Sequence, residues 1–256
     1  MSGEAQCRAY LGLPGVQEDL VEAVAATGTP VVVVLLTGRP LAIPTLVEDV
    51  EAILLAWHPG VEAGTAVADL LFGEANPSGK LTTTFPRAVG QVPIYYAHRA
   101  SPRPARGEGT DQWNEPYKSR YRDEWNSPQF PFGFGLSYSA FVYDALTIET
   151  PTVALDGVLR LRVDVTNASD VPGDEIVQVY VRDVVASLTR PVKELKAFQR
   201  ISIDPGQTRE LTFEIPVASL GFTNAQMRYV VEPGRFEVHV GPSSAEGLLG
   251  RFEVVE

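Results

Sequence analysis

The chain has a single cysteine, Cys7, in 256 residues. No disulfide can form within it, and a structural zinc site built on several thiolates is excluded. Basic residues are also in short supply: 21 Lys and Arg stand against 32 Asp and Glu, a formal charge of -11. Binding to nucleic acid needs clustered cations against phosphate, so no nucleic acid partner is expected. Histidine is limited to His58, His98 and His239, spread over a helix entry, a linker and a strand with no metal-ligand spacing. The longest apolar run, Val31 to Leu36, is far too short to span a bilayer, and the N-terminus lacks the basic, apolar, small-residue order of an export signal. No membrane, metal or cofactor is expected.

What is present divides into two characters. From Pro14-Gly15, apolar residues at Val16, Leu20, Val21, Val24 and Ala25 have helical spacing, closed by Gly28. Pro30 then leads into Val31–Leu36, a β-branched run suited to a parallel strand buried on both faces. A weaker helical stretch around Thr45 to Glu51 and a second strand, Ile53 to Ala56, follow. After the break at His58-Pro59-Gly60, a helix carrying Val61, Ala68, Leu71 and Phe72 ends at Gly73. Helix and strand alternate, which implies a mostly parallel sheet with helices on its faces and ligand sites outside the strands' carboxyl ends. The stretch Trp57 to Phe85 is expected to complete this layer and to brace the loop that begins the chain.

Beyond Phe85, Pro86, Pro93, Pro102 and Pro104 mark an irregular passage that becomes dense in aromatics from Tyr117 to Phe141. Packing is the favoured reading of these rings over a carbohydrate platform. From Phe141 the period is two. Leu159, Leu161, Val163 and Val165 alternate with polar residues, as do Leu211, Phe213 and Ile215, and Phe236, Val238 and Val240. Turns at Val171-Pro-Gly173, Asp204-Pro-Gly206 and Glu232-Pro-Gly234 separate the runs. The expectation is an immunoglobulin-like sandwich of the fibronectin type III-like kind, since no cysteine pair is present. The fold class is thus α/β plus all-β: a partial α/β sandwich domain over residues 1–97, an aromatic-rich linker over 98–140, and the β-sandwich over 141–256.

Several chemistries can be set aside. The Gly73 to Leu81 segment has five residues between its glycines where a phosphate loop has four, and Leu81 stands where Ser or Thr is needed. No Gly-x-Ser-x-Gly elbow or Cys-His pairing is present. Carboxylates remain. Most are solvated surface charges, but Glu4 sits in Ser2-Gly3-Glu4-Ala5, a small-residue loop where backbone can approach a substrate.

Read together, these motifs resemble the C-terminal half of the glycoside hydrolases of family 3, in particular the periplasmic bacterial β-glucosidases. The likeness rests on Met1-Ser-Gly-Glu-Ala5, Arg8 with Leu13-Pro14, Pro30 to Leu41, and Trp57-x-Pro-Gly-x-Glu-x-Gly64. It continues through Asn76-Pro-Ser-Gly-Lys-Leu81, Ser119-Arg-Tyr-x-Asp123 and Phe130-Pro-Phe-Gly-Phe-Gly-Leu-Ser-Tyr138. The resemblance implies an enzyme of three parts: a barrel carrying an Asp nucleophile, an α/β domain whose loop supplies a Glu as general acid/base, and a fibronectin type III-like domain. It places that Glu at Glu4, with Ala5 in place of the family's glycine and Cys7 where Asp is frequent. The expected partners are a small glycoside or oligosaccharide substrate and an N-terminal barrel supplied in cis or in trans. Starting inside a polar loop, the chain is expected to be part of something longer and inactive alone, with a periplasmic or secreted location by family resemblance and any signal upstream. The rivals are a non-catalytic carbohydrate-binding or interaction module, using Trp113, Trp125 or the sandwich face, and a truncated product without function.

Overall fold

The computed structural model describes residues 5–104 and 116–256, with the backbone of Ser2 and Gly3. The described residues form two compact units. One takes in those of Met1–Ala75, Thr83–Ile94 and Ala105–Phe130; the other those of Asn76–Thr82, Tyr95–Pro104 and Pro131–Glu256.

The first unit runs through a hairpin, β1 (Ser2–Gly3) and β2 (Gln6–Cys7), then α1 (Gln17–Ala25), β3 (Val32–Leu35), α2 (Pro44–Asp49), β4 (Ala52–Leu55) and α3 (Ala63–Phe72). Glu18 and Asp19 lie in the first turn of α1, where carboxylates suit the helix's positive end. α2 opens on Pro44, whose fixed φ matches the first helical position. α3 stops at Gly73, which takes the left-handed φ of 81° that ends a helix without a Cβ clash. β3 and β4 pair in parallel from Val32↔Ala52 to Leu35↔Leu55. Leu35, Leu41, Ile43 and Leu46 form the buried core, with Val21, Val33, Val47, Ile53 and Leu55 packed around it.

Burial of β3 on both faces, expected from its unbroken apolar run, is not found. Val33 and Leu35 face the core, whereas Val32 is 50% exposed and Leu36, just past the strand, 62%. On α1 Val21 packs into the cluster, while Leu20, Val24 and the preceding Val16 are exposed. The reason is geometric. Side chains alternate across a strand, and the helices that build this core meet one face of the pair.

The second unit holds β5 (Phe141–Ile148), β6 (Thr152–Ala154), β7 (Val158–Asn167), β8 (Gly173–Asp183), β9 (Glu194–Ile203), β10 (Thr208–Pro216), β11 (Phe222–Thr223), β12 (Tyr229–Val230), β13 (Gly234–Gly241) and β14 (Leu248–Val255). A three-stranded sheet in the order β10-β7-β5 faces a five-stranded one in the order β6-β14-β13-β8-β9. All these pairings are antiparallel except β14 with β6. The two-residue period predicts the core: Leu159, Leu161, Val163 and Val165 of β7 lie opposite Ile215, Phe213, Leu211 and Arg209 of β10, and all but Arg209 are buried. On the outer face Arg162 bridges Glu149 and Glu210, which lie on either side of it.

β8 departs from simple alternation. Val177, Val179 and Val181 fill the core, yet Gln178 and Tyr180 on the opposite face are buried too. Tyr96 and Phe132 stack with centroids 4.5 Å apart and meet Tyr180 edge-on at 5.5 and 6.5 Å. The Gln178 amide donates to the carbonyls of Gly133 (3.1 Å) and Pro242, and its oxygen accepts from the Tyr180 hydroxyl.

The segment Asn76–Thr82 belongs to this sandwich unit and does not complete the α/β layer. Of the stretch Trp57 to Phe85, expected to complete that layer, the residues on either side of Asn76–Thr82 do lie in the first unit. Asn76 uses its whole amide: its nitrogen donates to Ser139 Oγ (2.8 Å) and the Pro172 carbonyl (2.9 Å), and its oxygen accepts from Ser137 Oγ (2.8 Å) and the Tyr138 amide (2.9 Å). Backbone bonds join Leu81 to Phe134 and Gly133 at 2.7 Å each. Gly135 is required by this contact, because a Cβ there would lie 2.3 Å from the Gly79 carbonyl oxygen. Gly135→Ala should therefore lower unfolding stability by about 1–3 kcal/mol in urea titration. Gly79→Ala, whose Cβ would meet nothing within 4 Å, should cost clearly less.

Candidate functional site

The hairpin at the start of the chain pairs Ser2 with Cys7 and Gly3 with Gln6. Ala5 takes φ 58°, the left-handed conformation that short hairpin loops demand and that glycine reaches without cost. Glu4 itself lies outside the described residues, and so does Trp113. The segment after the hairpin is tied to the loop that follows β3. Arg8 Nη1 donates to the Gly12 carbonyl (3.1 Å), and the Ala42 amide donates to the Leu11 carbonyl (3.0 Å).

The parallel register sets the carboxyl ends of β3 and β4 side by side, the edge where ligands gather in such sheets. β3 runs into a turn closed by Thr37 Oγ1, which donates to the Arg39 carbonyl (3.0 Å) and accepts from the Arg39 amide (3.3 Å). The Arg39 Nη2 atom is buried with no hydrogen-bond partner among the described residues. β4 runs into Trp57, at φ 50° an uncommon backbone state for a bulky side chain. Its ring tilts against Phe85 at 6.0 Å, and Phe85 meets Phe130 edge-on at 6.2 Å. Of the rings in the aromatic passage, Phe130 packs on Phe85 and Phe132 on Tyr96 and Tyr180. Trp125 is half-buried with its carbonyl held by Gln91 Nε2 (2.7 Å), while Tyr117 and Tyr138 remain exposed.

Among the described residues no group of three or more His, Cys, Asp or Glu could hold a metal ion. His58 is exposed, His98 bonds the Arg99 carbonyl, and His239 lies on β13 opposite Tyr180 and Leu249. Burial lowers the pKa of His239, and the charges of Lys193 and Arg182 push it the same way against Glu237. A depressed folded-state pKa adds stability that is present above the unfolded value near 6.5 and lost as pH falls through the folded pKa. The thermal midpoint should thus decline on acidification below about pH 6.5, and His239→Gln should flatten part of that decline in a calorimetric pH series.

Sequence reading passed over one buried charge cluster. Lys80, dismissed with the phosphate-loop spacing, places Nζ 3.1 Å from Glu175 Oε2 and 3.0 Å from the Gly135 carbonyl. The two side chains are 10% and 2% exposed. Tyr143 donates its hydroxyl to the other Glu175 oxygen at 2.8 Å, and burial followed by the Glu175 charge pushes its pKa upward. A lysine in a turn and a glutamate about a hundred residues later give no local signal of pairing. The cluster anchors Asn76–Thr82 to the sandwich. Lys80→Met leaves a buried carboxylate without its counter-ion and should destabilise the fold by about 3–5 kcal/mol in denaturant. Adding Glu175→Leu should recover part of that loss.

Residues 1–138 match the glycosyl hydrolase family 3 C-terminal domain, and residues 175–244 the fibronectin type III-like domain. The whole chain aligns at 45% identity over 255 residues with a periplasmic beta-glucosidase of Salmonella typhimurium, of which it covers 33%. A beta-xylosidase of Formosa agariphila is 46% identical over 94% of the chain and 32% of its own length. Among solved structures, a beta-glucosidase from Listeria innocua in complex with glucose superposes with a TM-score of 0.92 at 42% identity, over 99% of this chain and 35% of that one. The chain thus spans about a third of the length of the curated relatives it matches.

Proposed function

The chain belongs to glycosyl hydrolase family 3, as its C-terminal part, and from that premise we propose that it works within a retaining β-glucosidase acting on terminal β-D-glucosidic bonds. The observation that carries this reading is the alignment of the entire chain with a beta-glucosidase three times its length. In the proposed division of labour, an N-terminal barrel, in cis or in trans, supplies the nucleophile and Glu4 is the general acid/base.

The chemistry explains why two parts must meet. In a retaining glycosidase a carboxylate attacks the anomeric carbon while a second carboxyl group, about 5–5.5 Å away, protonates the leaving oxygen. A glycosyl ester to the nucleophile forms as the glycosidic bond breaks. The second carboxylate then takes a proton from water, which attacks the anomeric carbon and releases the sugar. Glu4 must begin the cycle protonated, so its pKa has to be raised by burial and by the anionic nucleophile. Both influences require the barrel to be docked. An exported location follows the periplasmic relative.

Alone, the chain should not hydrolyse an aryl β-glucoside. Assembled with the other two thirds, it should do so, and Glu4→Gln should lower kcat/KM by about 10²–10⁴ for poor leaving groups. The loss should be much smaller for a dinitrophenyl glucoside, whose leaving oxygen needs no proton. Hydrolysis by the isolated chain that disappears on Glu4→Gln would falsify the two-part reading. An equal loss for good and poor leaving groups would remove Glu4 from the acid role.

A further inference from the structure

We infer that the cleft over the Lys80–Glu175 pair binds a small neutral polyol of about the size of one sugar ring. The cleft lies wholly within the sandwich unit and needs neither Glu4 nor a barrel, so it stands or falls apart from the proposed reaction. Its volume is about 180 Å³. Sites for drug-sized molecules run to about 300–1,000 Å³, so this one takes a single ring or less. Each charge of the buried pair in its lining is compensated, yet neither group is used up. Lys80 Nζ has three hydrogens, of which the Gly135 carbonyl and Glu175 take two; the third meets no acceptor among the described residues. Glu175 receives one bond on each oxygen, from Lys80 and from Tyr143, and each oxygen has a second lone pair. Ser243 lines the same cleft and is 5% exposed. Its Oγ accepts from the Ala245 and Glu246 amides, while its own hydrogen has no acceptor among the described residues. Donors and lone pairs left unused away from water carry a desolvation cost that a ligand's own groups remove.

Charge selects the class of ligand. An anion that met Lys80 would also meet Glu175, 3.1 Å away. Glu246, an exposed part of the lining with no ion pair among the described residues, adds a second negative charge against it. A cation that met Glu175 would meet the Lys80 ammonium in turn. A hydroxyl suits both partners at once, since one group accepts from an ammonium and donates to a carboxylate. Phe134, Phe141 and Tyr143 supply an apolar wall for the carbon–hydrogen side of the same molecule. Water alone would serve the polar groups and leave that wall wetted.

Ligand-observed saturation-transfer NMR on the 256-residue chain tests this, with D-glucose and myo-inositol as probes and acetate and methylammonium as charged controls at matched ionic strength. The two polyols should give saturable signals with millimolar midpoints, and the ions none. Saturation is the deciding feature, because polyols excluded from protein surfaces act on any protein without a midpoint. Lys80→Met combined with Glu175→Leu makes the lining apolar without leaving a lone charge, and should weaken binding about tenfold or more in a chain shown by circular dichroism to be folded. Ser243→Ala keeps the ion pair and should weaken binding severalfold, which gives a reading that does not depend on how the double variant folds. Glu4→Gln should change nothing. Signals that fail to saturate, or that persist at full strength in Ser243→Ala, would leave water as the occupant of the cleft and overturn the inference, as would saturable binding of either ion. Loss of binding on Glu4→Gln would move the sugar to the hairpin, sinking this site while favouring the proposed reaction.

Discussion

Burying Lys80 and Glu175 together is the constraint on which the second unit closes. Neither charge could be left alone in that environment, since an isolated ion away from water costs several kcal/mol. Their 3.1 Å contact, the Gly135 carbonyl and the Tyr143 hydroxyl together satisfy both. The ion pair therefore fixes where Asn76–Thr82 must lie. That position in turn requires glycine at 135, occupies every hydrogen-bonding site of Asn76, and brings Gly133 into reach of Gln178. A short turn thereby becomes part of a sandwich whose own strands begin only at Phe141.

The two units differ in how completely they bury their apolar surface. The sandwich has a continuous core drawn from both sheets, and even the outer face of β8 is roofed by Tyr96 and Phe132. The α/β unit has a small core on one face of two strands, with Val16 at the start of α1, Leu20 and Val24 within it and Val32 of β3 open to solvent. Hydrophobic burial is the main favourable term in folding, so this unit has the smaller intrinsic support. The hairpin proposed to carry the acid/base is in this unit, and so is the Arg39 Nη2 atom, buried without a hydrogen-bond partner among the described residues. The proposed chemistry and the uncovered surface therefore lie in one unit.

Elements governed by local rules could be read directly. The period of two located β7, β10 and β13 and named the residues that fill their core, because one side of each strand faces the opposing sheet. Gly73 and Pro44 marked helix ends through backbone preferences that hold in any context. Burial on the second face of β3 was misread at Val32, since an apolar run does not tell which of its side chains the neighbouring helices reach. Sequence gave no sign that Arg39 Nη2 is buried without a partner among the described residues, nor that Trp57 takes a positive φ, because both arise from the path of the chain at the ends of two adjacent strands. For Glu4, short-range context gave only a small-residue loop; its proposed role comes from the family to which the chain belongs.

By itself the sequence determined the order of elements, the two characters of the chain, the family it belongs to and the chemistries that its single cysteine and scattered histidines exclude. Local propensity and side-chain period suffice for these, because each is expressed within a few residues. Only the tertiary structure decided that Asn76–Thr82 belongs with the sandwich, that Lys80 is half of a buried ion pair, and that Val32 and Leu36 stay exposed. Those outcomes depend on which distant groups meet away from water. The free energy of a buried charge or an uncovered valine is set by that meeting and by nothing within reach along the chain.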